Sequence, residues 1–307
     1  MSDPVIVITK PDDVTASAVI NALRGNDVRV DVIDPAELLV RGGFEWSLAE
    51  HTCASAIWYR RPSAMTDTSV KDVGVASFIE NERLAATTAL FSDVPEHQWW
   101  NHPCKIAAAS RKPVLLQAAT RLGLRVPRTI ITNSEDRARK FVASLGGVAA
   151  MKPLANISAE VNGEKRVMFT SLVRETEISD GRFGRVLHFL QEYVEKECEY
   201  RVTLVGDESF VARIDSQQVK TAQIDWRRDA YYRSPMRRDE IPGEVLMRLQ
   251  ALRRTLGLNW GAVDMIKSTG GEFFFLEINP NGQWLWVEEA TGLPISASFA
   301  RALSTKV

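Results

Sequence analysis

Gly261–Trp284 reads GAVDMIKSTGGEFFFLEINPNGQW. Two apolar runs, Ala262 to Ile266 and Phe273 to Ile278, flank Gly270-Gly271, the pattern of an antiparallel hairpin. If the two glycines are the central turn residues, Thr269 opposes Glu272 and Asp264 opposes Glu277. The two carboxylates would share one face with Cβ atoms roughly 5 Å apart. Asn279, two residues beyond Glu277, points to that same face. Like charges directly opposite are destabilising without a counterion. The flanks Val263, Met265, Phe275 and Ile278 are apolar, so solvation is not the obvious remedy. Two carboxylates and an amide oxygen are hard ligands suited to magnesium shared with phosphates. A solvent-facing acidic pair and one protonated carboxyl are the other readings, and a turn longer than two residues would undo the pairing.

Working outward, Tyr200 to Val205 and Phe210 to Ile214 form a second hairpin around Gly206-Asp207. With a two-residue turn, Arg201 opposes Ala212 and Arg213 opposes Tyr200, which sends the two arginines to opposite faces. The chain closes on a helix, Ile295 to Leu303. At the other end, Val5 to Ile8, Val14 to Leu23, Val28 to Ile33 and Ala56 to Tyr59 read strand, helix, strand, strand, the signature of a parallel α/β sheet. A helix is expected from about Asp72 to Leu90. Pro95–Pro103 (PEHQWWNHP) reads as a linker. Beyond it come a helix from Ser110 to Leu122, a strand from Val126 to Thr132, and a helix from Glu135 to Leu145. Ser134 is its N-cap and Gly146-Gly147 its stop. Val148 to Lys152 is a strand leading into a polar loop, Ala155 to Lys165. The fold class is α/β with α+β character.

Composition narrows the function. The 307 residues are 45% apolar and 25% charged with a net charge of −1, so no global field points to nucleic acid. Cys53, Cys104 and Cys198 are scattered, with neither CxxC nor zinc spacing, which fits a reduced, cytoplasmic setting. No run approaches the roughly 20 apolar residues of a membrane span. No GxGxxG follows the first strand, and GxSxG, HExxH and Walker A patterns are missing from the sequence. His51, His97, His102 and His188 form no ligand or triad spacing.

The hairpin motif resembles the metal-binding end of ATP-grasp ligases. Upstream residues match that superfamily in order: Lys112 in SRKPVLLQAATRLGLRVPRTIITN, Lys152 in AAMKPL, QEYV at Gln191 to Val194, then Glu199 and Arg201 in ECEYRVTLVG. The match runs from Asn101 to the end. WYRRP (Trp58 to Pro62), VPRTIITN and EINPNGQW resemble in particular the ligases of graspetide biosynthesis, the microviridin-type peptide maturases.

The resemblance implies three units: an N-terminal α/β (pre-ATP-grasp) domain at 1–100, a central ATP-grasp subdomain at 101–188, and a C-terminal subdomain with the metal site at 189–307. It implies ATP and magnesium as cofactors. Lys112 and Lys152 would contact phosphates. Glu192 and Val194 would offer backbone groups to adenine, with Gln191 and Tyr193 shaping the pocket and Glu199 binding ribose. Asp264, Glu277 and Asn279 would hold magnesium. Arg201 and Arg213 would be the catalytic arginines, with Arg201 favoured by the hairpin register. The substrate would be a ribosomally made precursor peptide, leader plus core, acted on by a cytoplasmic homodimer without nucleic acid or membrane partners. An Asp or Glu carboxylate would become an acyl phosphate, then an ester with Thr or Ser or an amide with Lys. Asp215 is a weak general-base candidate. Addition of free amino acids to a protein or small acid, and nucleotide binding without turnover, are the alternatives.

One departure concerns the phosphate cover. Many ATP-grasp proteins use a glycine-rich loop, whereas Ala155 to Lys165 contains only Gly163, with Asn156 and Ser158 as further donors. Asp225 to Glu240 (DWRRDAYYRSPMRRDE) interleaves five arginines with Trp226, Tyr231 and Tyr232. It reads as a surface for an acidic peptide or as a solvated, internally paired loop. Trp284 and Trp286 read as core or interface.

Overall fold

The computed structural model of the chain describes all residues except 1–2, 38–53, 67–68, 93, 155–157, 162–163, 179–180, 182, 230–233 and 306–307. His51, Cys53, Asn156, Gly163, Tyr231, Tyr232 and Arg233 thus lie outside the described residues.

Five buried residues form β1 (Val5–Thr9), as expected of a strand covered on both faces. Asp13 then caps α1 (Val14–Gly25), its Oδ1 accepting from the backbone N–H groups of Thr15 and Ala16. β2 (Val30–Ile33) and β3 (Ala56–Arg61) pair in parallel with β1 in the order β2-β1-β3. α2 (Val73–Ser92) follows.

The expected linker is not loose. Trp99, Trp100 and Asn101 are buried. Trp100 N–H donates to Ile57 O at 2.7 Å. Asn101 Nδ2 donates to Trp260 O and Pro280 O, and its Oδ1 accepts from Asn259 N–H and Trp260 N–H. Every polar group of that amide is used, which locks the passage between units. The single helix expected from Ser110 is two, α3 (Pro103–Ala109) and α4 (Lys112–Arg121). Pro113 has no N–H to return to a preceding turn, so it marks a helix start.

The central sheet contains β4 (Thr129–Thr132), β5 (Val148–Lys152), β8 (Ser171–Arg174) and β9 (His188–Glu192) in the order β4-β9-β5-β8. α5 (Glu135–Ala143), capped by Ser134, packs against it, and β6 (Ser158–Val161) pairs with β7 (Glu164–Val167) as a separate ribbon. β9 belongs wholly to this sheet, so the change of sheet falls after Glu192 and not at 188.

The antiparallel C-terminal sheet holds β10 (Lys196–Val205), β11 (Glu208–Ile214), β12 (Met236–Arg238), β13 (Trp260–Ser268) and β14 (Phe273–Asn279). Its order is β12-β11-β10-β13-β14. α6 (Gly243–Thr255) precedes β13, and α7 (Leu285–Thr291) and α8 (Ile295–Ser304) end the chain. α8 returns to pack on α1. Trp58, Trp260, Trp284 and Phe299 are fully buried together, with the rings of Trp284 and Phe299 stacked at 4.0 Å. Each such side chain contributes about 2–3 kcal/mol by burial, so the N-terminal and C-terminal sheets share one core. Trp284 is core, one of the readings its sequence left open.

The β13–β14 turn differs from expectation. Ser268 N–H donates to Glu272 O and Gly271 N–H to Ser268 O, with Gly271 at φ +84°, so three residues form the turn. Lys267 therefore pairs with Phe273, one step off the expected register. A bulge between Asp264 and Met265 restores it, and Asp264 does face Glu277. Two departures cancel. The β10–β11 turn has the expected two residues, with Arg201 opposite Ala212 and Arg213 opposite Tyr200. Among the described residues no helix is long and apolar enough to cross a membrane.

Candidate active site

The central and C-terminal sheets meet across a solvent-open cleft of about 830 Å³, the open solvent at its mouth included. Lys112, Lys152, Gln191, Glu192, Tyr193, Val194, Glu199, Asp264 and Glu277 all line it. Arg201, bound to Asp264, does not line it, and neither do Asn279 and Arg213.

Lys152 ends β5, where its Nζ donates to Gln191 Oε1 at 2.8 Å. Gln191 Nε2 in turn donates to Thr129 Oγ1 at 3.0 Å, which fixes the amide orientation. Burial lowers the Lys152 ammonium below its ordinary range, and Glu277 pulls the other way. Lys112 opens α4 with Pro113 behind it. Glu192 ties the strand joint on both sides: its N–H donates to Arg128 O and its Oε2 accepts from Arg128 N–H. Tyr193 has its hydroxyl pushed up by burial, then by Glu199 and Glu195.

Glu199 is buried and accepts from Lys196 Nζ at 2.6 Å and Ser216 Oγ at 2.9 Å. Residues three apart on a regular strand face opposite ways. Here the register slips between Lys196 and Cys198, so Lys196 and Glu199 both turn into the cleft. Sequence reading missed Lys196 because a bulge leaves no pattern in the residue types. Burial pushes the Glu199 carboxyl up while Lys196 and Ser216 hold it down, with the net direction upward.

At the far end, Arg201 Nη1 donates to both oxygens of Asp264 at 2.7 Å. Burial raises the Asp264 carboxyl, Arg201 opposes that, and Glu277 adds repulsion. Glu277 itself has no hydrogen-bond partner among the described residues. Asn279 Oδ1 accepts from Asn281 N–H at 3.1 Å, which sets its amide plane. No group of three His, Cys, Asp or Glu forms a protein-only metal cage among the described residues. The two carboxylates fit the alternative, a magnesium ion shared with phosphates. The unpartnered Glu277, flanked by the charges of Lys152 and Arg227, is the observation that supports the fit.

Asp225 and Arg227 were not expected in the cleft. Asp225 is buried; burial would raise its carboxyl, but Arg227 and the Thr170 N–H bring it well below the usual range. Arg227 donates to it at 2.7 Å and lines the cleft near Glu277 and Asp264. Thr170 N–H donates to Asp225 Oδ2 and Arg228 Nη2 to Thr170 O, so the two sides of the cleft are tied there. Trp226 packs against Trp286 in a tilted pair with ring centroids 4.7 Å apart. The stretch read as a surface thus begins inside the site. Its interleaved arginine and aromatic pattern was a signal, without showing which arginine turns inward.

Arg213 instead donates to Asp215 at 2.6 Å and Glu197 at 2.9 Å on the other side of the sheet. Asp215 also pairs with Arg237, so it is an acceptor in an ion-pair chain and distant in role from the cleft.

No family model matches the sequence, and no curated protein matches it. Solved structures do. The Chryseobacterium gregarium RiPP-associated ATP-grasp ligase, in complex with ADP and a leader and core peptide, is 23% identical, with a TM-score of 0.90 over 100% of this chain and 98% of that one. Macrocyclase MdnC from Microcystis aeruginosa, bound with precursor peptide MdnA, is 25% identical with a TM-score of 0.83 over 99% of each chain. ATP-grasp ligase PsnB, with a phosphomimetic minimal precursor, Mg and ADP, is 20% identical with a TM-score of 0.80 over 100% of this chain and 99% of that one. Along its whole length the chain has the ATP-grasp fold, and the solved structures that share it include ATP-grasp ligases and a macrocyclase in complex with precursor peptides.

Proposed function

We propose that the protein is an ADP-forming ATP-grasp ligase that joins Asp or Glu side chains of a ribosomal precursor peptide to Thr, Ser or Lys side chains of the same peptide. One observation carries the reading. Ammonium and guanidinium groups (Lys112, Lys152, Arg227) and two facing carboxylates (Asp264, Glu277) converge in one cleft between the sheets. This is the charge arrangement for orienting a nucleotide triphosphate with its metal.

Lys112 and Lys152 hold phosphate oxygens. The Glu192–Val194 joint borders the base, with Gln191 and Tyr193 as walls, and Glu199 faces the ribose. Asp264, Glu277 and Asn279 would hold magnesium, which neutralises phosphate charge when bound. A substrate carboxylate oxygen attacks the γ-phosphorus, the bond to the ADP oxygen breaks, and an acyl phosphate forms. A hydroxyl or amine of the same peptide then attacks the acyl carbon, phosphate leaves, and a proton is released. Arg201 holds Asp264 in place, and Arg227 is placed to steady the transferring group; catalysis is positioning and charge neutralisation. Arg213 has no part in it.

The three-unit division, a homodimeric state and a cytoplasmic location belong to the same proposal, the last two on the resemblance of the sequence. Incubation with ATP, magnesium and candidate precursor peptides is the test. Loss of water from the peptide with matching ADP release is expected. ADP release with free amino acids and none with peptides would replace the reading by an amino-acid ligase.

A further inference from the structure

A side chain that does not line the cleft governs how one of the cleft cations is aimed. Thr129 opens β4, an edge strand of the central sheet. It is paired with Gln191 on β9, and Ala150 on β5 is paired with Gln191 from the other side. Directly paired strand residues share a face, and so do residues two apart along one strand. Thr129, Gln191, Ala150 and Lys152 therefore lie on one face of the sheet. Ala150 has no side chain long enough to come between Gln191 and Lys152.

The hydrogen bonds along this row have only one consistent direction. A threonine hydroxyl has a single proton. Thr129 Oγ1 donates it to Pro127 O at 2.8 Å, which leaves the oxygen only as an acceptor. Of the two ends of the Gln191 amide only the NH2 can donate to that oxygen, and Nε2 does so at 3.0 Å. The carbonyl end must then face the other way, where Lys152 Nζ donates to Oε1 at 2.8 Å. An ammonium has three donors and no acceptor, so a flipped amide would set N–H against N–H. Gln191 is 2% exposed, and solvent does not rescue an amide that loses its partner there. The row starts from a fixed point, since Pro127 is buried and its ring sets φ. With one N–H given to Gln191, the Lys152 ammonium has two left for an anion in the cleft.

We infer that Thr129 is a positioning residue: it passes the direction of the Pro127 carbonyl to the Gln191 amide and so aims the Lys152 ammonium at the nucleotide phosphates. The inference rests on the proposed function for the role of Lys152. It is tested on the full chain by calorimetry with ATP and magnesium, without peptide. The wild type is expected to bind. Thr129→Val should weaken ATP about 5-fold, the loss of one hydrogen bond in a buried row. Thr129→Ser keeps the hydroxyl and should stay within about 2-fold of the wild type. The same change is then made in a Gln191→Glu background. A carboxylate accepts through either oxygen and has no wrong orientation, so there Thr129→Val should change ATP affinity less than about 2-fold. Unchanged ATP binding in Thr129→Val overturns the inference. So does a loss in Thr129→Ser equal to that in Thr129→Val, or an equal loss in both backgrounds, which would assign Thr129 to packing alone. If Thr129→Val fails to fold, Thr129→Ala carries the same comparisons. A wild type that binds no ATP removes the nucleotide reading and the inference together, whereas a wild type that binds ATP no better than Thr129→Val overturns the inference alone.

Discussion

In one group of cleft residues, Lys152 donates to Gln191 and Gln191 to Thr129, while Lys196 and Ser216 both donate to Glu199. In a second group, Glu277, near the charge of Lys152, has no hydrogen-bond partner among the described residues, and Asp264 depends on Arg201. The first group is satisfied by the protein itself and presents a preformed wall. The second leaves a carboxylate open to a cation that arrives with the substrates. Preorganisation lowers the cost of binding at the first, and unpaired charge supplies the pull at the second.

The contrast can be broken by substitution. The largest effect is expected for Glu277→Gln: ADP release should fall on the order of 100-fold or more, with little change in melting temperature. A wild-type rate would remove the magnesium assignment. Next comes Asp264→Asn, which strands the Arg201 guanidinium in a buried site. Urea unfolding should show a loss on the order of 3 kcal/mol, since both side chains are at most 13% exposed. Retained stability would mean that Arg201 finds another acceptor.

Lys152→Met should raise the ATP KM about 10-fold with a smaller effect on kcat. A pH series sharpens this. Because burial lowers the Lys152 ammonium, it loses its proton at a lower pH than a free lysine. Phosphate prefers the charged form, so the ATP KM should rise with pH through that lowered range. Lys152→Arg, which does not titrate there, should flatten the rise; an unchanged profile would assign it to another group. The smallest effect is expected for Arg213→Ala. Its acceptors Asp215 and Glu197 keep Arg237 and Lys267, so kcat should change less than about 2-fold and stability by about 1 kcal/mol or less. A large kcat loss would mean that the outer face of β10–β11 communicates with the cleft.

Much of the site was legible in residue order. Period-two alternation and glycine turns placed Asp264 opposite Glu277 and separated Arg201 from Arg213, because strand geometry ties side-chain direction to sequence parity. The Asp264 pairing came out through a three-residue turn offset by a bulge, a cancellation that residue types do not encode. Lys196 escaped for the same reason: it depends on a bulge that reverses parity locally. Asp225 and Arg227 escaped because a loop has no period to extrapolate.

The sequence by itself determined the α/β class and the two hairpins, which follow from local periodicity, and its resemblance to ATP-grasp ligases pointed to most of the residues that line the cleft. Only the tertiary structure decided where the linker is clamped by Asn101, that Arg60 and Arg61 both donate to the Asn281 carbonyl, and how Trp58, Trp284 and Phe299 fuse the two ends of the chain into one core. Those contacts join residues up to 241 positions apart, and close packing between distant segments, unlike strand alternation, has no signature along the chain.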